Sequence, residues 1–235
     1  FITSLRMFSR FIFFGVASIL MLSCSKEIMR HNYKLQNKGN TLYFNVYSSL
    51  NECEYSGVRN HDWSTDLSEY EKANKKKAFP GWLLQAEQGD AKKQFFVAKM
   101  FYFGEGVVPD LNKAIFWYSE SSNQNYPPAQ NNLAILYESY EGVEGNYFIA
   151  FNLLCRSALS GLHFAQNNLG DLYVNGKGVA QDYKEAGKWY RLAAEQGHAP
   201  AQYNLGFMYY EGQGVVQDYE ESFKWFRKSA EQGHS

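Results

Sequence analysis

Little in this chain points to chemistry of its own. Its 23 basic and 24 acidic residues nearly cancel, leaving a formal net charge of −1, so no global field draws it to nucleic acid or to an anionic membrane. Cysteines number only three, at positions 24, 53 and 155, a spacing that fits neither a metal-ligand set nor a disulfide framework. Cys53 and Cys155 can pair in an oxidising compartment or stay as thiols, and the sequence leaves both open. Residues 11–22 are apolar, but a membrane-spanning helix needs roughly 20 such residues.

What the chain does have is a period. Trp225 and Trp189 lie 36 residues apart, Trp117 stands two periods further back, and Leu153 fills the slot between. Gly233, Gly197, Gly161 and Gly89 share one comb, with Asn125 in its gap. Ala230, Ala194, Ala158 and Ala86 share another, completed by Ser122. A period of this length marks a solenoid of small helical units, none able to bury its apolar face alone.

The N-terminus reads as an address. The basic start at residues 7–10 and the short apolar stretch after it match a secretory signal better than a spanning helix. Cys24 follows Ser23 as in a bacterial lipoprotein signal, where the cysteine bears lipid, although Met21 and Leu22 depart from the usual residues. Residues 1–24 are therefore expected to direct export to the periplasm or outer membrane, with Cys24 as the candidate lipidation site. Residues 1–6 precede the first Met and are read as upstream of the true start. Residues 25–78 carry no detectable repeat and form an unassigned spacer. Within them residues 41–47 suit a strand, and residues 71–77 form a charged run that is helical or solvated.

Each unit reads as two helices. In the last, Ala201, Leu205, Met208 and Tyr209 make one apolar stripe, Gly206 leaves room for a neighbouring helix, and Gly212 and Gly214 break the first helix. Asp218, with Asp182, Asn146 and Asp110 one to three periods back, is the expected cap of the second helix. Ser222, Trp225, Phe226, Ser229 and Ala230 form its inward side, and Gly233 closes it. First helices are predicted near 91–103, 127–139, 163–175 and 199–211, and second helices near 110–123, 146–160, 182–196 and 218–232.

The strings Ala201-Gln-Tyr-Asn-Leu-Gly206, Gly212-Gln-Gly-Val215, Lys224-Trp-Phe226 and Ala230-Glu-Gln-Gly233 resemble the Sel1-like repeat, a relative of the tetratricopeptide repeat. The preceding unit shows the same pattern, from Ala165-Gln-Asn-Asn-Leu-Gly170 to Gly197, and the two before it are looser. Residues 82–89 resemble the second helix of an earlier, degenerate unit. The resemblance implies an all-α fold, an α/α superhelical solenoid of right-handed sense over residues 79–235, with a partial unit at 79–89 and four full units. It also implies a non-enzymatic scaffold for a protein or peptide, with no cofactor. Some members are cysteine-rich secreted proteins stapled once per repeat, a few of them described as binding or hydrolysing β-lactams. With Cys155 alone inside the array, this chain departs from that subgroup, and an envelope hydrolase is the alternative reading.

Other chemistry is poorly supported. The Gly-x-Gly loops lack the Lys-Ser/Thr and the preceding strand of a phosphate loop. His198 and His234 share a comb but have no third ligand, and His61-Asp62 has no nucleophile to pair with. No catalytic or metal site is expected, and membrane contact is expected only through the N-terminal signal. The last unit is among the closest to the repeat pattern, where an atypical capping unit belongs, so the array is expected to continue beyond residue 235.

The expected partner surface lies on the first helices, beside the packing stripe. It comprises Tyr203, Phe207 and Tyr210, with equivalents Phe95, Lys99 and Tyr102; Asn131, Ile135 and Glu138; and Asn167, Asp171 and Val174. These vary in chemistry from unit to unit, as a recognition surface would.

Overall fold

Residues 29–37, 40–48, 53, 63–139 and 145–233 are described by a computed structural model of the chain. They fall into two compact units, Phe1–Leu50 and Asn51–Ser235. In the first, strands β1 (Met29–Asn37) and β2 (Asn40–Ser48) pair antiparallel, with Met29 opposite Ser48 and Asn37 opposite Asn40. The strand expected at 41–47 is thus half of a hairpin. Residues 1–24, with Cys24, lie outside the described residues, as do His61, Asp62 and His234.

The second unit is helical among its described residues. Helices α1 (Ser64–Lys72) and α2 (Lys75–Glu87) lead into four pairs. These are α3 (Ala91–Phe103) with α4 (Leu111–Asn123), and α5 (Pro127–Ser139) with α6 (Gly145–Leu159). Then come α7 (His163–Asn175) with α8 (Tyr183–Glu195), and α9 (Ala199–Glu211) with α10 (Tyr219–Ala230). First helices begin and end where the comb of glycines and caps predicts. The region before residue 79 is not structureless: α2 starts at Lys75, where the Asn74 side chain accepts from the Lys77 N–H at 3.2 Å.

Local chemistry sets these boundaries. Asp110 accepts from Lys113 N–H, Asp182 from Lys184 and Glu185, and Asp218 from Glu220 and Glu221, at 2.8–3.1 Å. Losing one such cap costs about 0.5–2 kcal/mol. The fourth expected cap, Asn146, falls inside α6, which begins one residue earlier, at Gly145. The two glycines of each loop differ in role. Gly104, Gly176 and Gly212 end their helices in the left-handed conformation, with φ of 73°, 63° and 70°. At Gly178 and Gly214 a Cβ would collide with the carbonyl of Tyr147 or Tyr183, at the start of the preceding unit's second helix. Those loops are fastened to the previous pair through backbone contact that only glycine permits.

Junctions between units repeat one pattern of hydrogen bonds. The buried Gln94, Gln166 and Gln202 side chains donate to the carbonyls of Ala86, Ala158 and Ala194 in the preceding second helix, at 3.1–3.2 Å. Each accepts in turn from Gln124, Gln196 or Gln232, at 2.7–2.8 Å. Leaving such a buried carbonyl unpaired would cost about 1–3 kcal/mol. Within a pair, the second helix lies close over a small residue. At Gly206 a Cβ would stand 3.0 Å from the Phe226 ring, as expected of that glycine. Ser222, Trp225 and Ser229 face inward as predicted, but Ala230 is exposed. Its counterparts Ala86, Ala158 and Ala194 are buried because the following first helix covers them.

Candidate interaction surface

Three rows of equivalent positions run across the first helices, and the structure separates them. Phe95, Asn131 and Asn167 are buried, at 2%, 6% and 7% exposure, and do not face solvent as expected. The reason is their orientation toward the next unit. Asn131 Oδ1 accepts from Asn168 and Asn167 Oδ1 from Asn204, at 3.0 and 3.1 Å. Phe95 instead packs against Tyr126, ring centroids 5.5 Å apart. Tyr203, the fourth member of this row, is 39% exposed and rests on Phe226 at 5.2 Å. This row is a seam between units.

The other two rows stay accessible. Tyr102, Ile135, Phe207 and Tyr210 are exposed, at 41–50%, while Lys99, Glu138, Asp171 and Val174 are half-buried. The rows therefore present aromatic or aliphatic surface at intervals, with polar groups between them. Lys99 is already engaged: its ammonium pairs with Glu71 of α1 at 3.1 Å and lies 4.1 Å from the centre of the Tyr70 ring.

Acidity concentrates in the middle of the rows. Asp171 accepts from the Tyr190 hydroxyl at 2.6 Å and from Asn167 at 3.2 Å. Burial raises its pKa above the ordinary carboxylate range, and the Tyr190 hydrogen bond only partly offsets this. Glu138 is raised as well, by burial above all, with the Lys177 charge opposing and the Asp171 charge adding a smaller push upward. These carboxyls gain from a cation brought to the surface, which would replace the hydration they have lost. Sequence reasoning missed the partners that hold this centre, Tyr190, Asn168, Asn204 and Lys177. The doubled asparagines at 131–132 and 167–168 were the available signal, but not which of each pair reaches across the seam.

No group of three His, Cys, Asp or Glu able to hold a metal occurs among the described residues. His198 meets another ring: His163, whose centroid is 4.8 Å away and whose pKa burial lowers. No described helix is long and apolar enough to cross a membrane. Of the two cysteine states left open, the structure has the bridge. Cys53 and Cys155 form a disulfide, Cα atoms 5.8 Å apart, across 102 residues of chain. Ten residues on, the Trp63 indole N–H donates to the Ser160 carbonyl at 3.3 Å, at the end of the same α6.

No curated protein matches the chain. Among solved structures, a protective antigen of uropathogenic Escherichia coli with this repeat fold is 39% identical, with a TM-score of 0.62 over 66% of this chain and 33% of its own. A Sel1 repeat protein of Oxalobacter formigenes is 31% identical, with a TM-score of 0.63 over 68% of this chain and 64% of its own. The chain thus spans about a third of the length of the first and under two thirds of the second. The Sel1 repeat model matches at residues 94–126, 127–162, 163–198 and 199–234, more than half of the sequence. The chain belongs to the Sel1-repeat family, whose helical arrays serve in general as protein-interaction scaffolds.

Proposed function

We propose that this chain is a non-enzymatic scaffold of a bacterial cell envelope that receives a protein or peptide segment along its first-helix face. Stacking helix pairs with a small rotation per unit creates an extended concave surface, and the reading assigns the first helices to it. The observation that carries the reading is the division between rows: Phe95, Asn131 and Asn167 are buried against residues of the next unit, while Tyr102, Ile135, Phe207 and Tyr210 are left open. Exposed aromatic and aliphatic anchors of this kind dominate binding energy at protein interfaces. Asp171 and Glu138 favour a segment with a basic side chain opposite the centre. The signal-like N-terminus and the Cys53–Cys155 bridge both support an exported, oxidising location, with Cys24 as the point of lipid attachment.

The test is affinity capture from native envelopes with wild-type protein and with Ile135→Asp/Phe207→Asp/Tyr210→Ala. The variant is expected to lose the captured partner while its helical melting curve is unchanged. Full retention of the partner by a folded variant would remove this surface from consideration.

A further inference from the structure

The second helices carry a row of their own at the junctions between units: Ile115, Phe151, Gly187 and Phe223. Phe151 is buried, with 1% exposure, and meets Tyr173 of the next unit edge-on at 5.5 Å. One unit later the same slot holds Gly187, and Tyr209, the counterpart of Tyr173, meets Arg191 in place of a ring: the guanidinium donates to its hydroxyl and lies 5.7 Å from its centre. A Cβ there would stand 3.4 Å from the Met208 methyl and 3.7 Å from Val215, ordinary contact, so the backbone has no need of glycine at this point. The result is a groove of about 490 Å³ between α8 and the loop at Gly214 and Val215, with Leu192 and Trp189 in its apolar lining.

Charge at this groove has one sign in excess. Lys184, Lys188 and Arg191 line it against a single carboxylate, Glu185, which is paired with Lys188. Arg191 stands where Cys155 stands one unit earlier. There, the slot is bridged to Cys53, itself buried at 4% exposure, so this side of the array already holds a segment of its own chain at the neighbouring junction.

We infer that the groove beside Gly187 is a second docking site, for an acidic protein segment that inserts an aromatic side chain where Phe151 inserts its own. The inserted ring packs against Leu192 and Val215, and flanking carboxylates meet Lys184 and the Arg191 guanidinium that already reaches Tyr209. The site is independent of the first-helix face. It pairs an apolar hole with a cationic rim, the reverse of the acidic centre around Asp171.

The probe is a labelled peptide, Glu-Asp-Phe-Glu-Asp, titrated against the full chain by fluorescence anisotropy. Controls replace its Phe by Gly or its acids by Lys and Arg. The acidic aromatic peptide should bind at least tenfold more tightly than either control. Gly187→Phe, which fills the hole from within, should weaken it at least tenfold while thermal unfolding is retained. Arg191→Glu, which leaves the hole open, should lower affinity for the acidic peptide and raise it for the basic one. Ile135→Asp/Phe207→Asp/Tyr210→Ala should bind the probe like wild type, so failure of the first-helix reading would not touch this one. Equal binding of all three peptides, or no response to Gly187→Phe and Arg191→Glu, overturns the proposal, as does absence of binding to the full chain.

Discussion

Two junctions in this array share a backbone and differ in what fills them. Where α6 meets the following unit, Phe151 closes the interior and the buried Cys155 is bridged to Cys53. Where α8 meets the next, Gly187 and Arg191 occupy those positions and a groove remains. Gln166 and Gln202 bond the preceding carbonyls identically at both, and Gly178 and Gly214 lie against the preceding helix in the same way. Docking of one unit on another therefore rests on backbone-directed contacts that recur. Side chains beside those contacts are free to close the junction or leave it open.

The largest effect should come from the bridged junction. Cys155→Ser opens a loop of 102 residues, and the chain-entropy account assigns about 4.7 kcal/mol to closing a loop of that length. Denaturant unfolding without reductant should show a matching loss, equalled by Cys53→Ser and not increased in the double variant. An unchanged midpoint would mean that the staple adds nothing to the filled junction.

Next comes Phe151→Ala, which makes the second junction resemble the third. Truncating a buried phenylalanine costs about 3–5 kcal/mol. The converse, Gly187→Ala, should stabilise by about 0.5–1 kcal/mol, since glycine inside a helix is worse than alanine by that amount and the added methyl meets only ordinary contacts. Thermal melts of both variants check the pair. A loss on Gly187→Ala would show that the glycine serves the fold and not the groove.

The smallest effect concerns the acidic centre. Burial raises the Asp171 pKa in the folded chain. Its contribution to stability is therefore complete below the unfolded value near 3.9 and is lost as pH rises through the folded pKa. Asp171→Asn should remove that slope, so stability relative to wild type improves from acid toward neutral pH. His163, lowered by burial, acts oppositely: its contribution is present above about 6.5 and declines as pH falls toward the folded value. Urea midpoints across pH 4–7 should show the Asn variant losing the Asp171 slope while those of His163 and Glu138 remain; parallel wild-type and variant curves would exclude a desolvated Asp171.

Helix boundaries were legible because caps and glycines act within a few residues of themselves. Asp110, Asp182 and Asp218 cap the helices that they precede. Which first-helix positions stay exposed was only half legible. Phe95, Asn131 and Asn167 fall on the same helical stripe as Lys99, Ile135 and Asp171, and helical spacing cannot say which end of a stripe the next unit covers. That information is relational: it resides in Asn168 and Asn204, a period away. The Cys53–Cys155 pairing was illegible for the same reason, since nothing local links residues 102 apart. Helix α1 shows no repeat, because Tyr70, Trp82 and Phe96 close the junction between α2 and α3 with rings, 4.8–5.9 Å between centroids, where later units use asparagines.

The central claim, that a partner lies along the open rows of the first helices, can be tested by placing a photo-reactive phenylalanine at Ile135 or Phe207 and, separately, at Phe116. All three are exposed apolar positions, at 41%, 44% and 47%, but Phe116 lies on a second helix. After irradiation in native envelopes, one common adduct is expected from Ile135 and Phe207 and none of that mass from Phe116. An adduct obtained from Phe116 alone, or equally from all three positions, would contradict the account.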